Sequence, residues 1–130
     1  YEAEWGYLPC FDNLGKDKRQ VLYAYQPGAS LGMTVSYLGG RRENLIRWDQ
    51  VYSEQGGMYD MTITYLPAEH RGLQDTINGK TTTVEKLQTK GGLTTITIPV
   101  SLKAGYNVIE MGNPYAWAVD IDKFELKQMN

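Results

Sequence analysis

A strict alternation of apolar and polar side chains is the feature that most constrains how this chain folds. Extended backbone places successive side chains on opposite faces, so an apolar residue at every second position marks a strand with one buried face. Segment 57–65 follows this pattern, with inward positions at Tyr59, Met61, Ile63 and Tyr65. Segment 95–102 repeats it, and Pro99 within it favours an edge strand or a bulge, because proline has no N–H to donate to a central ladder.

The rest of the chain predicts further short strands and almost no helix. Runs near 21–25, 34–38, 45–48 and 107–111 are rich in apolar and β-branched residues, and the Asn78-Gly79 pair favours a tight hairpin turn. About nine short strands without crossover helices favour antiparallel sheets packed face to face. We therefore expect a single all-β domain over residues 1–130, an antiparallel β-sandwich of the jelly-roll type.

Charge and cysteine content exclude several classes of partner. Thirteen basic and 15 acidic residues give a net charge of -2 with no basic block, so neither nucleic acid nor a membrane surface is an expected partner. The single Cys10 has no partner for an internal disulfide and is interpreted as a small buried residue. The chain begins in a strand-like segment without Met, which we interpret as a module from a longer precursor.

Three carboxylates near the two ends of the sequence suggest a metal site. Period-two geometry puts Glu2 and Glu4 on one face of a first strand, and Asp122 on the face of Phe124 and Leu126. Carboxylates buried without compensation cost several kcal/mol each, so inward acids at both ends predict a cation between them. All-oxygen ligands favour calcium. The alternative is that all three acids are solvated.

An ordered set of motifs resembles non-catalytic carbohydrate-binding modules of families 35 and 6. The motifs are Tyr-Glu-Ala-Glu at the start, Ile-Asn-Gly at 77–79, and segments 28–40, 57–65, 102–109 and 119–126. The resemblance implies a jelly roll with a structural Ca²⁺ held by Glu2, Glu4 and Asp122. It also implies a module of a bacterial glycoside hydrolase that is secreted, periplasmic or at the cell surface. The catalytic domain in the full-length chain, covalently linked to the module, would be similar to α-galactosidases.

The segment 112–118 is the predicted sugar-binding loop. A pyranose ring stacks its C–H face on an aromatic side chain, while its hydroxyl groups need amide or carboxylate partners. By the resemblance, Asn113 corresponds to a hydrogen-bonding residue and Trp117 to a stacking residue, and we add Tyr115 because it shares the loop. A plant or microbial oligosaccharide or polysaccharide, namely a galactoside, mannan or uronate, is the expected ligand. A packing role for Trp117 is the alternative.

A facing wall is predicted from the segment 37–44, where Tyr37 and Arg41 would contact the ligand and either Arg41 or Arg42 would pair with an acidic sugar. The alternative for Arg41 is a solvated side chain. Trp48 and Trp5 are both predicted to pack in the interior, and His70 to lie in a surface loop.

A catalytic role is not expected. The sequence has no Gly-x-Ser-x-Gly nucleophile motif, and its best-placed acids cluster at the proposed ion, where positive charge would deny them the role of general acid. Two alternatives to a sugar-binding module stay open. One is an accessory domain that packs on a glycosidase without sugar affinity, and the other is a small β-sandwich glycosidase.

Overall fold

The computed structural model describes residues 1–7, 22–36, 38, 45–113, 115 and 117–129, without the side chains of residues 4 and 22–25. These residues form two short 3-10 turns, Ala3–Trp5 and Ser30–Gly32, and nine strands. The strands are β1 (Leu22–Tyr25), β2 (Met33–Ser36), β3 (Leu45–Ser53), β4 (Gly57–Leu66), β5 (Gln74–Ile77), β6 (Lys80–Thr83), β7 (Thr94–Leu102), β8 (Gly105–Gly112) and β9 (Asp120–Gln128).

The strands build two antiparallel sheets that pack face to face, as the alternation predicts. One sheet has five strands in the order β1-β2-β9-β4-β7, and the other has four in the order β3-β8-β5-β6. Their inner faces share one apolar core, in which Met61 and Ile63 of β4 meet Ile46 of β3 and Ile109 of β8. The jelly-roll expectation is confirmed. Across the described part of the chain, no helix has the length and apolar character needed to cross a membrane.

Strand positions follow the sequence closely where the alternation is longest. Met61, Ile63 and Tyr65 are buried on the inner face of β4. Strand β7 lies at the edge of the five-stranded sheet, which confirms the position predicted from Pro99. Strands β5 and β6 form the predicted hairpin, and Asn78 and Gly79 both have positive φ there.

The predicted first strand is wrong. Residues 3–5 form a 3-10 turn, in which Trp5 N–H donates to the Glu2 carbonyl (3.1 Å) and Gly6 N–H donates to the Ala3 carbonyl (3.0 Å). Because these bonds join residues three apart, Glu2 and Glu4 do not share one face of a strand. Ala3 is buried, whereas Trp5 is 68% exposed, which corrects the expected packing of that indole. Trp48 is buried as predicted.

Candidate functional site

Glu2 and Asp122, from the two ends of the sequence, lie close together beneath the surface. An isolated antiparallel bridge pairs Glu2 with Lys123, the neighbour of Asp122 in β9. Ser30 contacts both acids: its hydroxyl donates to Oε2 of Glu2 (2.9 Å), and its backbone N–H donates to Oδ2 of Asp122 (3.1 Å). Glu2 is 8% exposed and Asp122 is 2% exposed, so the predicted burial of these two acids is confirmed.

Each acid of this pair has one side-chain oxygen without a hydrogen bond from any described residue. Among the described residues, Oε1 of Glu2 and Oδ1 of Asp122 are buried with no hydrogen-bond partner. Burial raises the pKa of Asp122, the Ser30 N–H lowers it, and the nearby charge of Glu2 raises it. Each acid thus has one buried oxygen without a hydrogen bond within the described part of the chain, and carboxylate oxygens are among the ligands that a hard divalent cation prefers.

The surroundings of the acid pair are fixed by aromatic packing. Trp48 donates its Nε1–H to the Glu2 carbonyl (3.0 Å) and meets Phe124 edge to face, with the ring centroids 4.7 Å apart. Phe124 also stacks on Tyr1 at 5.0 Å. These contacts hold the start of the chain on β9. In the described part of the chain, no group of three or more acidic, histidine or cysteine side chains gathers at one point, and the Glu4 side chain is not in that part.

The predicted sugar-binding loop leaves β8 at the rim of the four-stranded sheet. Asn113 follows the last residue of β8, and its Oδ1 accepts a hydrogen bond from the Tyr115 N–H (3.1 Å). This local bond turns the chain and leaves Tyr115 84% exposed. Trp117 is half-buried at the return towards β9. An exposed ring beside an amide is the pair of groups that sugar binding needs.

The end of the polar segment 67–72, to which the sequence assigns no role, supports this loop. Gly72 forms a parallel bridge with Ala118, and the Val119 N–H donates to the Gly72 carbonyl (3.3 Å). A Cβ on Gly72 would lie 3.3 Å from Nδ2 of Asn113, so the glycine leaves space for that amide. Arg71 donates from Nη1 to the Ala118 carbonyl (3.3 Å). Only the long-range pairing brings this segment to the loop, so no local motif could have identified it.

A groove of about 630 Å³ runs from the loop along the outer face of the four-stranded sheet. Its polar lining includes Gln74, Thr76, Thr81, Glu110, Asn113 and Tyr115. Thr76 and Thr81 face each other across the β5–β6 pair with their hydroxyl oxygens 2.8 Å apart. Glu110 is the single carboxylate that the described residues contribute to this groove, and Trp117 is not among the residues that line it. Hydroxyls, amides and one exposed ring fit a saccharide.

Asp75 is a second buried acid, outside the groove and on the inner side of β5. It is 2% exposed, and its Oδ1 has no hydrogen-bond partner in the described part of the chain. Burial raises its pKa to about 7. It lines a wider cleft of about 870 Å³ between the β5–β6 hairpin and β7, with Lys80, Glu85 and Lys86 in the same lining.

Comparison with known proteins shows similarity at the level of structure. Neither a family model nor a curated protein sequence matches the chain. A family 35 carbohydrate-binding module from Clostridium thermocellum superposes with a TM-score of 0.84 and 26% identity, covering 98% of this chain and 97% of that one. A family 35 module from Paenibacillus barcinonensis superposes with a TM-score of 0.78 at 18% identity, covering 99% and 98%.

The fold is that of a family 35 carbohydrate-binding module. A larger enzyme contains the same fold: the exo-β-1,3-galactanase of Phanerochaete chrysosporium, in a crystal structure with galactose, has a TM-score of 0.80 and 23% identity. The match covers 98% of this chain and 28% of the galactanase. Family 35 modules thus share the whole architecture with this chain, while the enzyme shares only part of its length.

Within this family 35 fold, the predicted ligand residues fall into two groups. Asn113, Tyr115 and Trp117 lie on one short loop at the sheet rim. Tyr37 and Arg41, predicted to face them, lie outside the described residues, as does Cys10. Leu38 is buried, and its carbonyl accepts a hydrogen bond from the Ala118 N–H (2.7 Å), so the chain between β2 and β3 reaches the loop at that point. His70 is exposed with a φ of 59°, in agreement with the predicted surface loop.

Proposed function

We propose that this domain is a non-catalytic carbohydrate-binding module that holds a saccharide in the groove beside Asn113 and Tyr115. The observation that carries the proposal is the exposed Tyr115 ring next to the Asn113 amide, at the mouth of a groove lined by hydroxyl and amide groups. A pyranose ring would stack on Tyr115, and its hydroxyls would bond to Asn113 and Gln74. The galactanase structure with galactose makes a galactoside the first ligand to test.

A glycosidase is disfavoured by the composition of the groove. Glycoside hydrolysis requires a pair of carboxylic acids across the scissile bond, about 5 to 9.5 Å apart depending on mechanism. Among the described residues of the groove, Glu110 is the one carboxylate. The Asp75 carboxyl faces the interior on the other side of the sheet and cannot serve as its partner. The proposal therefore assigns any catalysis to a linked domain of a glycoside hydrolase that acts outside the cell.

A structural Ca²⁺ is part of the proposal. Glu2 and Asp122 would supply their two unpartnered oxygens, Oε1 and Oδ1, and Glu4 is the third proposed ligand. The donor set fits because a divalent cation would balance two buried negative charges that the hydrogen bonds from the uncharged Ser30 stabilise but do not neutralise. Such an ion would tie the first residues of the chain to β9 and leave the groove at the sheet rim free for the saccharide.

Replacing the aromatic residues of the loop tests sugar binding. We expect Tyr115→Ala and Trp117→Ala each to lower affinity for a galacto-oligosaccharide by about tenfold, which corresponds to about 1.4 kcal/mol, because each removes ring surface that the ligand would cover or that orders the loop. Isothermal titration calorimetry on galactoside, mannan and uronate oligosaccharides would measure it. Tyr106→Ala is the matched control, since Tyr106 is an exposed tyrosine of β8 outside the groove lining.

Two results would contradict the assignment. A panel that gives no heat with any of the three glycan classes would favour an accessory domain that packs on a glycosidase without sugar affinity. Equal affinity losses in Tyr106→Ala and Tyr115→Ala would show that the ligand does not bind specifically at the loop.

A further inference from the structure

A second cluster of exposed aromatic side chains lies at the start of the chain, away from the Asn113 loop. Trp5 and Tyr7 are among the most exposed large side chains of the described residues, and Tyr1 beside them is partly exposed. Together with Arg47, Asp49 and Gln50 they line a groove of about 320 Å³. This volume lies at the lower end of the roughly 300 to 1,000 Å³ of small-molecule sites.

The backbone fixes this aromatic cluster in place. Tyr7 pairs with Arg47 at the edge of β3 through two hydrogen bonds, from the Tyr7 N–H to the Arg47 carbonyl (2.6 Å) and from the Arg47 N–H to the Tyr7 carbonyl (2.8 Å). The 3-10 turn of residues 3–5 then turns Trp5 outward. Gly6 allows the backbone of this segment to approach β3 closely, because a Cβ at residue 6 would collide with Cγ2 of Ile46. Trp5 is therefore presented to solvent from ordered backbone.

Charged groups complete the groove. The Arg47 guanidinium lies 4.8 Å from the centre of the Tyr7 ring, and its Nε is 2.9 Å from Oδ1 of Asp49. Stacking and the ion pair hold the guanidinium in one orientation, and its other N–H groups can still donate. A carboxylate, a guanidinium and an exposed indole in one groove present an acceptor, a donor and a flat apolar surface. A pyranose can stack its C–H face on such an indole while its adjacent hydroxyls donate to the carboxylate and accept from the guanidinium.

We propose that Trp5, Tyr7 and the Arg47–Asp49 pair form a second saccharide-binding surface, distinct from the Asn113 groove. The inference rests on the proposed function only in the chemical class of the ligand, a pyranose. The two surfaces are related through the sheet, because Arg47 pairs in register with Glu110, a residue of the first groove. A module with two such surfaces would bind a polysaccharide more tightly than a short oligosaccharide, since the second contact becomes intramolecular.

The experiment separates the two surfaces by mutation. Calorimetry with galactotriose, mannotriose and trigalacturonate as separate probes would be run on the unmodified domain, Trp5→Ala, Tyr115→Ala and the double variant. We expect two sites per molecule in the unmodified domain with at least one probe, one of the two weakened about tenfold in each single variant, and both weakened in the double variant. Loss of the indole should weaken the second surface by about tenfold or more.

Matched variants guard against unfolding and against general surface effects. Trp5→Phe keeps a ring and should retain most of the binding lost in Trp5→Ala, and Tyr52→Ala removes an exposed aromatic from the same strand as Arg47 without touching the groove. Trp5→Ala should melt as the unmodified domain does, because Trp5 is mostly exposed. Identical stoichiometry and affinity of Trp5→Ala and the unmodified domain with all three probes would overturn the second surface. Binding that depends on Trp5 but not on Tyr115 or Trp117 would support the second surface and contradict the proposed site in the Asn113 groove.

Discussion

At pH 8 the Asp75→Asn variant should be more stable than the unmodified domain, and at pH 4 this advantage should largely disappear. Asp75 is buried with one unpartnered oxygen, and burial raises its pKa from 3.8 to about 7. In the folded state the carboxyl therefore holds its proton up to about pH 7, whereas in the unfolded chain it ionises near pH 4. Stability from this group is fully present below the unfolded pKa and is lost as pH rises through the folded pKa.

The difference in pKa sets the expected size of the effect. At 1.36 kcal/mol per pKa unit, ionisation of Asp75 would cost the folded state up to about 4 kcal/mol above pH 7. An asparagine has a similar shape and does not ionise, so its free energy of unfolding should lack this loss. The measurement is urea unfolding of both proteins at pH 4, 6 and 8, with the difference in unfolding free energy followed against pH.

The charged neighbours of Asp75 do not obscure the measurement. Lys80, Glu85 and Lys86 line the same cleft, but they are present in both proteins, so the difference in unfolding free energy isolates the change at residue 75. Asp75→Val provides a second variant, because the neighbouring inward positions of the segment, Leu73 and Ile77, are apolar. It should also gain stability at pH 8. A difference between Asp75→Asn and the unmodified domain that stays constant from pH 4 to pH 8 would show that Asp75 has the same pKa in the folded and unfolded chain, and would contradict the raised pKa.

The alternation of apolar and polar residues also predicts that Asp75 is buried. The same period of two that puts Met61 and Ile63 in the core puts Asp75 between Leu73 and Ile77, on the buried side of β5. The residue was thus predictable from the sequence as an inward acid. Asp122 was identified by that argument and is buried as expected.

Other features of the site depend on contacts that local patterns do not encode. A period of two cannot detect the i to i+3 bonds of residues 3–5, so it predicts Trp5 in the interior although the turn exposes the indole. Gly72 meets Ala118 across a separation of 46 residues in the parallel bridge and its neighbouring hydrogen bonds. The groove beside Tyr115 arises from the register of β8, β5 and β6. Sequence could place Asn113 and Tyr115 in one loop, but only the sheet supplies their polar surroundings.

Calcium should raise the melting temperature of the domain, and Asp122→Asn or Glu2→Gln should abolish this response. A ligand that binds only the folded state stabilises it by about 2.7 kcal/mol when its concentration is 100 times the dissociation constant. Glu2 and Asp122 come from opposite ends of the sequence, so the proposed ion would hold together elements that otherwise meet through the Glu2–Lys123 bridge and the Tyr1–Phe124 contacts. Thermal unfolding in EDTA, in calcium and in magnesium would measure the effect.

The pattern among variants distinguishes a specific ion from a general salt effect. Asp60→Asn is the matched control, because Asp60 is a half-buried carboxylate of β4 that pairs in register with Lys127, five residues beyond Asp122 in β9. It should keep the full response to calcium. In EDTA, Asp122→Asn should be no less stable than the unmodified domain, since burial and the nearby charge of Glu2 disfavour the Asp122 carboxylate when no ion is present. Superimposable melting curves in EDTA and calcium, or a calcium response that survives in both Asp122→Asn and Glu2→Gln, would contradict an ion held between the two ends of the sequence.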